Sequence, residues 1–290
     1  MKRVVADIKS TTARLPWWLL LLWLALTLLI PTPGIGQDDR TAASSPAPEL
    51  LWHKASALFP IRVHLPEGFD STQSYPAVIA LHGYGGSSEQ FERVARAFAQ
   101  AGFLAVVPEG PYPVPLADSS RHSTWQLSTW LSDVGVGPNL TDDPAIEAQS
   151  TRVTVFEFLP SVIDRIQERY RVGPLYAFGF SLGGVFALGG GFYNRDRVEG
   201  IIAFGIGPGI EREIFTERGG TLEDGSNLKV RLVLGRSDRL VPFSEAERLR
   251  DLLQEAGYDV TLDAFDGGHE VPDDALRRAV TWLRKLVDEQ

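Results

Sequence analysis

The stretch Leu175-Tyr-Ala-Phe-Gly-Phe-Ser-Leu-Gly-Gly-Val-Phe-Ala-Leu188 decides the fold. It is an apolar and aromatic run that is interrupted at Gly179 and resumes after Ser181. Beyond the serine, apolar residues recur with the spacing of one helix face, whereas the residues before Gly179 form a short continuous apolar run. The pattern predicts a buried strand, a sharp turn and a helix.

The turn has the sequence Gly179-Phe-Ser-Leu-Gly183. A serine at the tip of a strand-to-helix turn takes a strained backbone conformation, and glycines flank it because Cβ atoms there would collide with the strand and helix. This geometry would lift Ser181 Oγ above the sheet and point the Leu182 N–H, at the positive end of the helix, toward a developing anion. A glycine-rich turn that merely packs helix against strand remains an alternative until a base and an acid are found.

The rest of the chain alternates short apolar runs with longer amphipathic ones, which predicts an α/β fold with a mostly parallel sheet and helices on both faces. The predicted strands are residues 59–65, 75–81, 103–108, 198–204, 229–234 and 260–265. The predicted helices are residues 89–101, 145–171 with an irregularity near Pro160, 245–256 and 273–287.

Residues 109–144 interrupt this alternation. The segment is rich in Pro, Ser, Asp and Gly and is too long for a simple connection, which predicts a functional loop or a short lid-like insertion. It carries Trp125 and Trp130. These rings could line a substrate pocket, and we predict them as substrate-binding residues, but they could equally pin the loop to the body of the protein.

The N-terminus has the pattern of a signal peptide. Basic residues precede an apolar stretch at residues 17–30, and small residues follow before Gln37. We expect residues 1–36 to be a signal peptide or an N-terminal anchor, 37–50 a linker and 51–290 the catalytic domain. Both interpretations predict an exported protein, periplasmic or extracellular, attached to the membrane through residues 17–30 if the segment is not cleaved.

The net charge disfavours some classes of partner, and the absence of cysteine excludes some kinds of catalytic site. The formal charge is −9, and it becomes −12 without residues 1–36, which carry four basic and one acidic residue. Such a charge disfavours nucleic acid and anionic membrane surfaces as partners. The chain has no cysteine, so disulfides, a thiol nucleophile and thiolate metal sites are excluded.

A serine hydroxyl needs a base to take its proton and a third group to hold that base. Of five histidines, His269 is the favoured base, because it follows the last predicted strand on the glycine-rich loop Asp266-Gly-Gly-His-Glu270. His122, in the irregular segment, is a weaker candidate. The remaining three are interpreted as structural, His82 as a brace for its loop: His53, His64 and His82.

The acid should also follow a strand, between the serine and the histidine in chain order. Asp238 satisfies both conditions, because it closely follows the strand predicted at 229–234. Asp266 is a competitor on the same short loop as His269, and Asp224 lies in a polar segment before its strand. The predicted order is therefore Ser181, Asp238, His269.

An oxyanion hole needs two N–H donors. We expect one from Leu182 and the other from Tyr84, in the loop His82-Gly-Tyr-Gly-Gly-Ser-Ser88 that follows the strand at 75–81. Gly85 and Gly86 would allow the backbone to approach the site closely.

With these residues assembled, the chain resembles α/β-hydrolases of the phospholipase/carboxylesterase family, which includes esterases and thioesterases. It is similar also to secreted serine esterases of the polyhydroxybutyrate-depolymerase and feruloyl-esterase kinds. The matching stretches span about residues 58–288: Leu81-His-Gly-Tyr-Gly-Gly86, Gly179-Phe-Ser-Leu-Gly-Gly184, Gly235-Arg-Ser-Asp-Arg-Leu-Val-Pro242 and Gly267-Gly-His-Glu270. One departure is Leu182, where the acyl-thioesterase branch typically has glutamine, and this departure, together with the expected export, weakens a protein-deacylation interpretation.

The resemblance implies an α/β-hydrolase fold and hydrolysis of a small-molecule carboxylic ester through an acyl-enzyme, with no metal or organic cofactor. Two other interpretations stay open. One is a serine peptidase of the same fold, which would use the same triad. The other is a non-catalytic binding module.

Overall fold

The computed structural model describes residues 57–115, 122–129, 131–133, 135, 139–207 and 228–290. The predicted segments 1–36 and 37–50, as well as Trp130, His53 and Asp224, lie outside this part of the chain. The described residues form one seven-stranded sheet and one two-stranded sheet. The strands are β1 Ile61–His64, β2 Tyr75–Leu81, β3 Leu104–Pro108, β4 Tyr112–Pro113, β5 Ser123–Thr124, β6 Val172–Phe180, β7 Gly200–Phe204, β8 Lys229–Gly235 and β9 Asp259–Phe265.

The large sheet has the order β1-β3-β2-β6-β7-β8-β9. Only β1 runs antiparallel to its neighbour, and the other pairs are parallel. The carboxyl ends of β2, β6, β8 and β9 therefore meet at one edge, which is where open α/β sheets collect functional groups.

Helices cover both faces of the sheet, and each face has its own apolar core. The helices are α1 Glu92–Gln100, α2 Pro144–Val153, α3 Leu159–Arg169, α4 Leu182–Tyr193, α5 Phe243–Glu255 and α6 Asp273–Asp288. The core against α3 and α4 includes Phe186 and Leu188, and the core against α1 and α6 includes Phe98 and Leu283. No helix in the described ranges is both long and apolar enough to cross a bilayer.

The predicted fold class is confirmed, and most predicted elements match the observed ones within a few residues. The helix predicted at 145–171 runs from Pro144 to Arg169 but contains a π-helical segment, Thr154–Phe158, between α2 and α3. Pro160 explains the irregularity, because it lacks the N–H that would bond the carbonyl four residues earlier and its ring crowds that carbonyl.

The segment predicted as a functional loop contains a small antiparallel pair. Tyr112 pairs with Thr124 and Pro113 with Ser123, which joins β4 to β5. An isolated bridge then links Ser123 to Gly86 in the loop after β2. The segment is therefore fastened to the edge of the sheet where β2 ends.

Candidate active site

Ser181 lies between the end of β6 and the start of α4, as the sequence predicts. Its φ of 54° is the one positive φ among the described non-glycine residues, so the backbone here is strained. The Ser181 N–H donates to the carbonyl of Phe204 at 2.8 Å, and the Ser181 carbonyl accepts from Gly184 and Val185. These bonds hold the turn and its strain in place.

Backbone crowding explains the two glycines of the turn. A Cβ at Gly179 would overlap the carbonyl of Gly183, and a Cβ at Gly183 would overlap the carbonyls of Leu81 and His82. Main-chain atoms cannot move aside as side-chain ends do. Helix α4 can therefore approach the sheet closely only with glycine at these positions.

The structure brings Ser181, His269 and Asp238 into one hydrogen-bonded chain. Ser181 Oγ is 2.8 Å from His269 Nε2, and His269 Nδ1 is 2.7 Å from Asp238 Oδ2. The other carboxylate oxygen, Asp238 Oδ1, accepts from the N–H groups of Leu240 and Val241, both at 2.9 Å. The Asp238 side chain has 0% exposure and that of His269 has 17%, so the acid is enclosed while the imidazole still reaches the surface.

Asp266, the competing acid, points elsewhere. Its side chain is fully exposed, and its ion-pair partner is Arg236 at 3.9 Å. Of the acids considered from the sequence, Asp238 is the one that contacts His269 in the described structure.

Two neighbours restrict the His269 ring. The Phe180 ring packs against it, with centroids 4.9 Å apart and an angle of 42° between the planes. Gly205 lies beside the same imidazole with a φ of 67°, and a Cβ on Gly205 would stand 3.0 Å from His269 Cε1. The imidazole therefore has little freedom to turn away from Ser181.

The two expected oxyanion donors are the N–H of Leu182, directly after Ser181, and the N–H of Tyr84, in the loop after β2. Leu182 is the first residue of α4, so its N–H has no acceptor within the helix. The loop after β2 also lies close to the serine, since a Cβ on Gly83 would stand 3.4 Å from Ser181 Cβ. The Tyr84 N–H that follows has no hydrogen-bond acceptor among the described residues.

The loop after β2 is a type II turn. The Gly86 N–H donates to the Gly83 carbonyl at 3.0 Å, which closes a four-residue turn. Gly85, the third residue, has a positive φ of 64°, as a type II turn requires. Tyr84, the second residue, does not have a positive φ, which excludes a type I′ turn. Glycine at Gly85 satisfies this requirement. The turn thus has a defined backbone rather than a variable one.

His82, interpreted from the sequence as a brace, is buried beneath this turn. Its Nδ1 is 2.9 Å from the Gly83 carbonyl, while its Nε2 is 3.3 Å from the Gly110 nitrogen and 3.2 Å from Ser123 Oγ. Burial lowers the pKa of His82, which keeps the imidazole neutral. The ring nitrogens of His82 contact Gly83, Gly110 and Ser123, whereas Ser181 Oγ contacts His269, so His82 is not placed to act as the base.

Trp125 lies in the core, with 0% of its surface exposed. Its Nε1–H donates to the His82 carbonyl at 2.6 Å, and its ring packs against those of His82 and Phe158. A ring without exposed surface does not line an open pocket. Of the two roles that the sequence leaves open, this position favours attachment of the loop, so Trp125 is corrected from a substrate contact to an anchor.

Sequence reasoning missed the polar residues that surround this turn. Glu109 accepts from Ser123 Oγ at 2.8 Å and from the N–H and Oγ of Ser88 at 3.0 and 2.7 Å. Burial alone would raise the pKa of Glu109, but the hydrogen bonds from Ser88 and Ser123 outweigh it and lower that pKa. His122, which the sequence offers as a weaker candidate for the base, instead contacts the Gly85 carbonyl through Nδ1 at 2.6 Å and supports the turn.

No sequence signal marks this set, because its members are polar residues of ordinary kinds in an irregular segment. Only the fold brings them under the turn. Within the described ranges, no group of three or more His, Asp or Glu side chains is arranged to hold a metal ion.

No curated protein matches the sequence significantly. Among solved structures, esterase PE8 matches with a TM-score of 0.61 and 21% identity, covering 79% of this chain and 99% of that one. The Bacillus cereus carboxylesterase matches with a TM-score of 0.54 and 19% identity, covering 79% of this chain and 95% of that one.

The Zea mays acyl-protein thioesterase 2 matches with a TM-score of 0.58 and 16% identity, covering 78% of this chain and 98% of that one. At such identities these structures share the fold with this chain. The sequence model of the phospholipase/carboxylesterase family matches residues 70–287, which is most of the chain. This chain therefore belongs to the phospholipase/carboxylesterase family and is a carboxylic ester hydrolase with the α/β-hydrolase fold.

Proposed function

We propose that the protein is a serine esterase that cleaves small-molecule carboxylic esters through an acyl-enzyme, with Ser181 as nucleophile, His269 as base and Asp238 as the group that orients the base. One observation carries the proposal. It is the continuous hydrogen-bonded chain from Ser181 Oγ through both imidazole nitrogens to a buried carboxylate.

The proposed reaction begins when His269 Nε2 takes the proton of Ser181 Oγ as the oxygen attacks the ester carbonyl carbon. The N–H groups of Leu182 and Tyr84 donate to the resulting oxyanion. The intermediate collapses as the carbon–oxygen bond to the alcohol breaks, and His269 gives its proton to the departing alcohol. Asp238 stabilises the imidazolium between these two proton transfers.

Water then repeats the sequence on the acyl-enzyme. His269 takes a proton from the water as its oxygen attacks the acyl carbon, and the same two N–H groups bind the second oxyanion. Collapse returns the proton to Ser181 Oγ and releases the carboxylic acid. The chain's own residues suffice for each of these steps.

The first experiment measures hydrolysis of p-nitrophenyl esters from acetate to palmitate by the full chain and by Ser181→Ala. We expect the wild type to turn over at least the short esters and Ser181→Ala to lose at least about 10³-fold in kcat, with labelling by a fluorophosphonate probe also abolished. A Ser181→Ala variant with wild-type turnover would refute the proposal. Peptide anilides tested alongside separate an esterase from a peptidase, and a folded protein that neither turns over esters nor reacts with the probe would be a binding module.

A matched pair of carboxyl variants tests the role of the acid. Asp238→Asn keeps the side-chain shape but puts an amide opposite His269 Nδ1, so we expect kcat to fall by about 10³- to 10⁴-fold. Asp266→Asn removes an exposed charge on the same loop as His269 and should leave kcat within about twofold of wild type. Equal losses in the two variants would reject the assignment of Asp238.

Localisation is a separate proposal, which the N-terminal sequence pattern supports. We propose that the protein is exported and that residues 17–30 attach it to the membrane if they are not removed. Cell fractionation and N-terminal sequencing test this. An intact N-terminus in the membrane fraction would indicate an anchor, a start near Gln37 would indicate cleavage, and recovery in the cytoplasm would contradict export.

A further inference from the structure

His82 follows the last residue of β2 and is 1% exposed. A carbonyl oxygen only accepts, so the contact of His82 Nδ1 with the Gly83 carbonyl at 2.9 Å requires a proton on Nδ1. The Gly110 N–H only donates, so Nε2 accepts from it at 3.3 Å. Both ring nitrogens are therefore engaged when the imidazole is neutral and carries its proton on Nδ1.

The Gly83 carbonyl and the Tyr84 N–H belong to the same peptide group. The chain contains no cis peptide bond in its described part, so these two bonds point in opposite directions within one rigid plane. The Gly83 carbonyl is held from one side by His82 Nδ1 and by the Gly86 N–H. Fixing the carbonyl in this way also fixes the direction of the Tyr84 N–H.

We propose that His82 is a positioning residue, which sets the direction of the Tyr84 N–H through its hydrogen bond to the Gly83 carbonyl and so prepares the oxyanion hole. This inference rests on the proposed function, because it assigns the Tyr84 N–H to the oxyanion. His82 acts through a peptide group and does not touch the substrate.

A second layer of contacts holds the imidazole itself. Ser123 Oγ lies 3.2 Å from His82 Nε2, accepts from the Gly110 N–H at 3.0 Å and donates to Glu109 Oε1 at 2.8 Å. The His82 carbonyl accepts from the Trp125 Nε1–H, and the two rings pack with their centroids 4.8 Å apart. The residues after β3 thereby fix the rotamer of His82, and their contacts are all buried or partly buried.

The same segment also holds the rest of the turn. The Ser123 N–H donates to the Gly86 carbonyl at 3.0 Å, and His122 Nδ1 contacts the Gly85 carbonyl at 2.6 Å. The carbonyls of Gly83, Gly85 and Gly86 all accept hydrogen bonds. The Tyr84 N–H, in contrast, has no acceptor among the residues that the structure describes. An oriented donor without a partner is what an oxyanion requires, since no reorganisation is then needed during the reaction.

Two variants of similar shape separate hydrogen bonding from packing. His82→Leu removes the donor to Gly83, whereas the side-chain amide of His82→Asn can occupy the position of Nδ1 and restore it. In both, the Gly110 N–H keeps Ser123 Oγ as its acceptor. We expect kcat for p-nitrophenyl acetate to fall about 10- to 100-fold in His82→Leu with KM within about threefold, and to recover to within about fivefold of wild type in His82→Asn.

A double-mutant cycle tests whether the effect passes through the Tyr84 N–H. Tyr84→Pro deletes this donor, and proline suits the second position of a type II turn. We expect Tyr84→Pro to lower kcat by about 10²- to 10³-fold and the further change His82→Leu to add less than about twofold. Undiminished kcat in His82→Leu, no recovery in His82→Asn, or full additivity with Tyr84→Pro would each overturn the proposal.

A measurement on the wild type does not depend on any variant folding. The nitrogen NMR shifts of the His82 ring should be those of a neutral imidazole protonated on Nδ1 at pH 7, and an Nε2-protonated ring would overturn the proposal. Wild-type kcat in Tyr84→Pro would remove the oxyanion role of Tyr84 and this proposal with it. Activity in Ser181→Ala would instead remove the proposed function itself, so the two failures are distinguishable.

Discussion

Gly205 lies directly beside the His269 imidazole and leaves no room there for a side chain. A Cβ there would stand 3.0 Å from His269 Cε1 and 3.2 Å from Nδ1, and the φ of 67° is one that L side chains rarely adopt. Gly205→Ala should therefore displace the imidazole from Ser181 and lower kcat about 10-fold or more, since a small misplacement of a reacting group is costly. The measurement is kcat for p-nitrophenyl acetate together with unfolding in urea.

Gly68→Ala is the matched control for Gly205→Ala. Gly68 has nearly the same φ, 66°, but a Cβ there would meet nothing within 4 Å. Both alanine variants should lose about 1–2 kcal/mol of stability from backbone strain, while only Gly205→Ala should lose activity. Equal kcat values for the two variants would show that Gly205 does not restrain His269.

Individual site residues differ in how far the sequence can predict them. Ser181, Asp238 and His269 each follow a strand, and they occur in this order along the chain. Both features can be recognised in the sequence alone. Trp125 illustrates the opposite case. Whether an aromatic ring in an irregular segment faces solvent or the core depends on tertiary packing, and its complete burial could not be read from neighbouring residues.

At the scale of elements, apolar runs predict strands well because a parallel sheet buries both faces of each strand. Strand β2 has the predicted bounds, and β9 begins one residue earlier than predicted. The two-residue strands β4 and β5 gave no such pattern. They pair through backbone groups and are held by side-chain hydrogen bonds at Ser123 and Glu109, for which composition carries no signal.

Two glycines of helix α4, Gly183 and Gly190, face different neighbours. A Cβ at Gly183 would overlap two backbone carbonyls at the end of β2. The atom nearest to a Cβ at Gly190 would instead be the end of a side chain, Leu159 Cδ1, at 2.5 Å. Gly183→Ala should push the helix away from the sheet and cost about 3 kcal/mol or more. Gly190→Ala should stay within about 1 kcal/mol of wild type, because the higher helix propensity of alanine offsets a shift of Leu159.

Urea unfolding of both alanine variants tests this expectation. Their kcat values add a second reading, because a displaced α4 would also carry the Leu182 N–H away from Ser181. A Gly183→Ala variant as stable and active as Gly190→Ala would show that the helix has room to move.

At the scale of the whole molecule, the residues of the proposed site are far apart in sequence but lie at one edge of the sheet. Ser181 follows β6, Asp238 follows β8, His269 follows β9 and Tyr84 follows β2. Parallel strands place all four at their carboxyl ends, and the apolar cores on the two faces hold the strands in register. Rigid elements thus fix the distances in the proposed site.

The proposed oxyanion loop is held by a buried histidine, His82, so the free energy of unfolding should depend on pH. Burial lowers the pKa of His82 in the folded state below its ordinary 6.5, and the unfolded chain therefore binds more protons once the pH falls below that value. The free energy of unfolding should be full above about pH 6.5 and should decline as the pH falls toward the folded-state pKa. The pKa of Glu109 is also lowered, but from 4.5, so its contribution should be lost only at more acidic pH.

Urea unfolding between about pH 3 and pH 8 separates the two groups. His82→Asn should flatten the dependence that begins below about pH 6.5, because the amide does not titrate, whereas Glu109→Gln should flatten the part below about pH 4.5. Because the Glu109 charge raises the pKa of His82, Glu109→Gln should leave the decline that begins below about pH 6.5 in place or steepen it. Wild-type and His82→Asn curves that run parallel between pH 5 and pH 6.5 would mean that the folded protein protonates His82 as readily as the unfolded chain does. The imidazole could not then be held neutral by Gly83 and Gly110, because protonation would place a second donor against the Gly110 N–H.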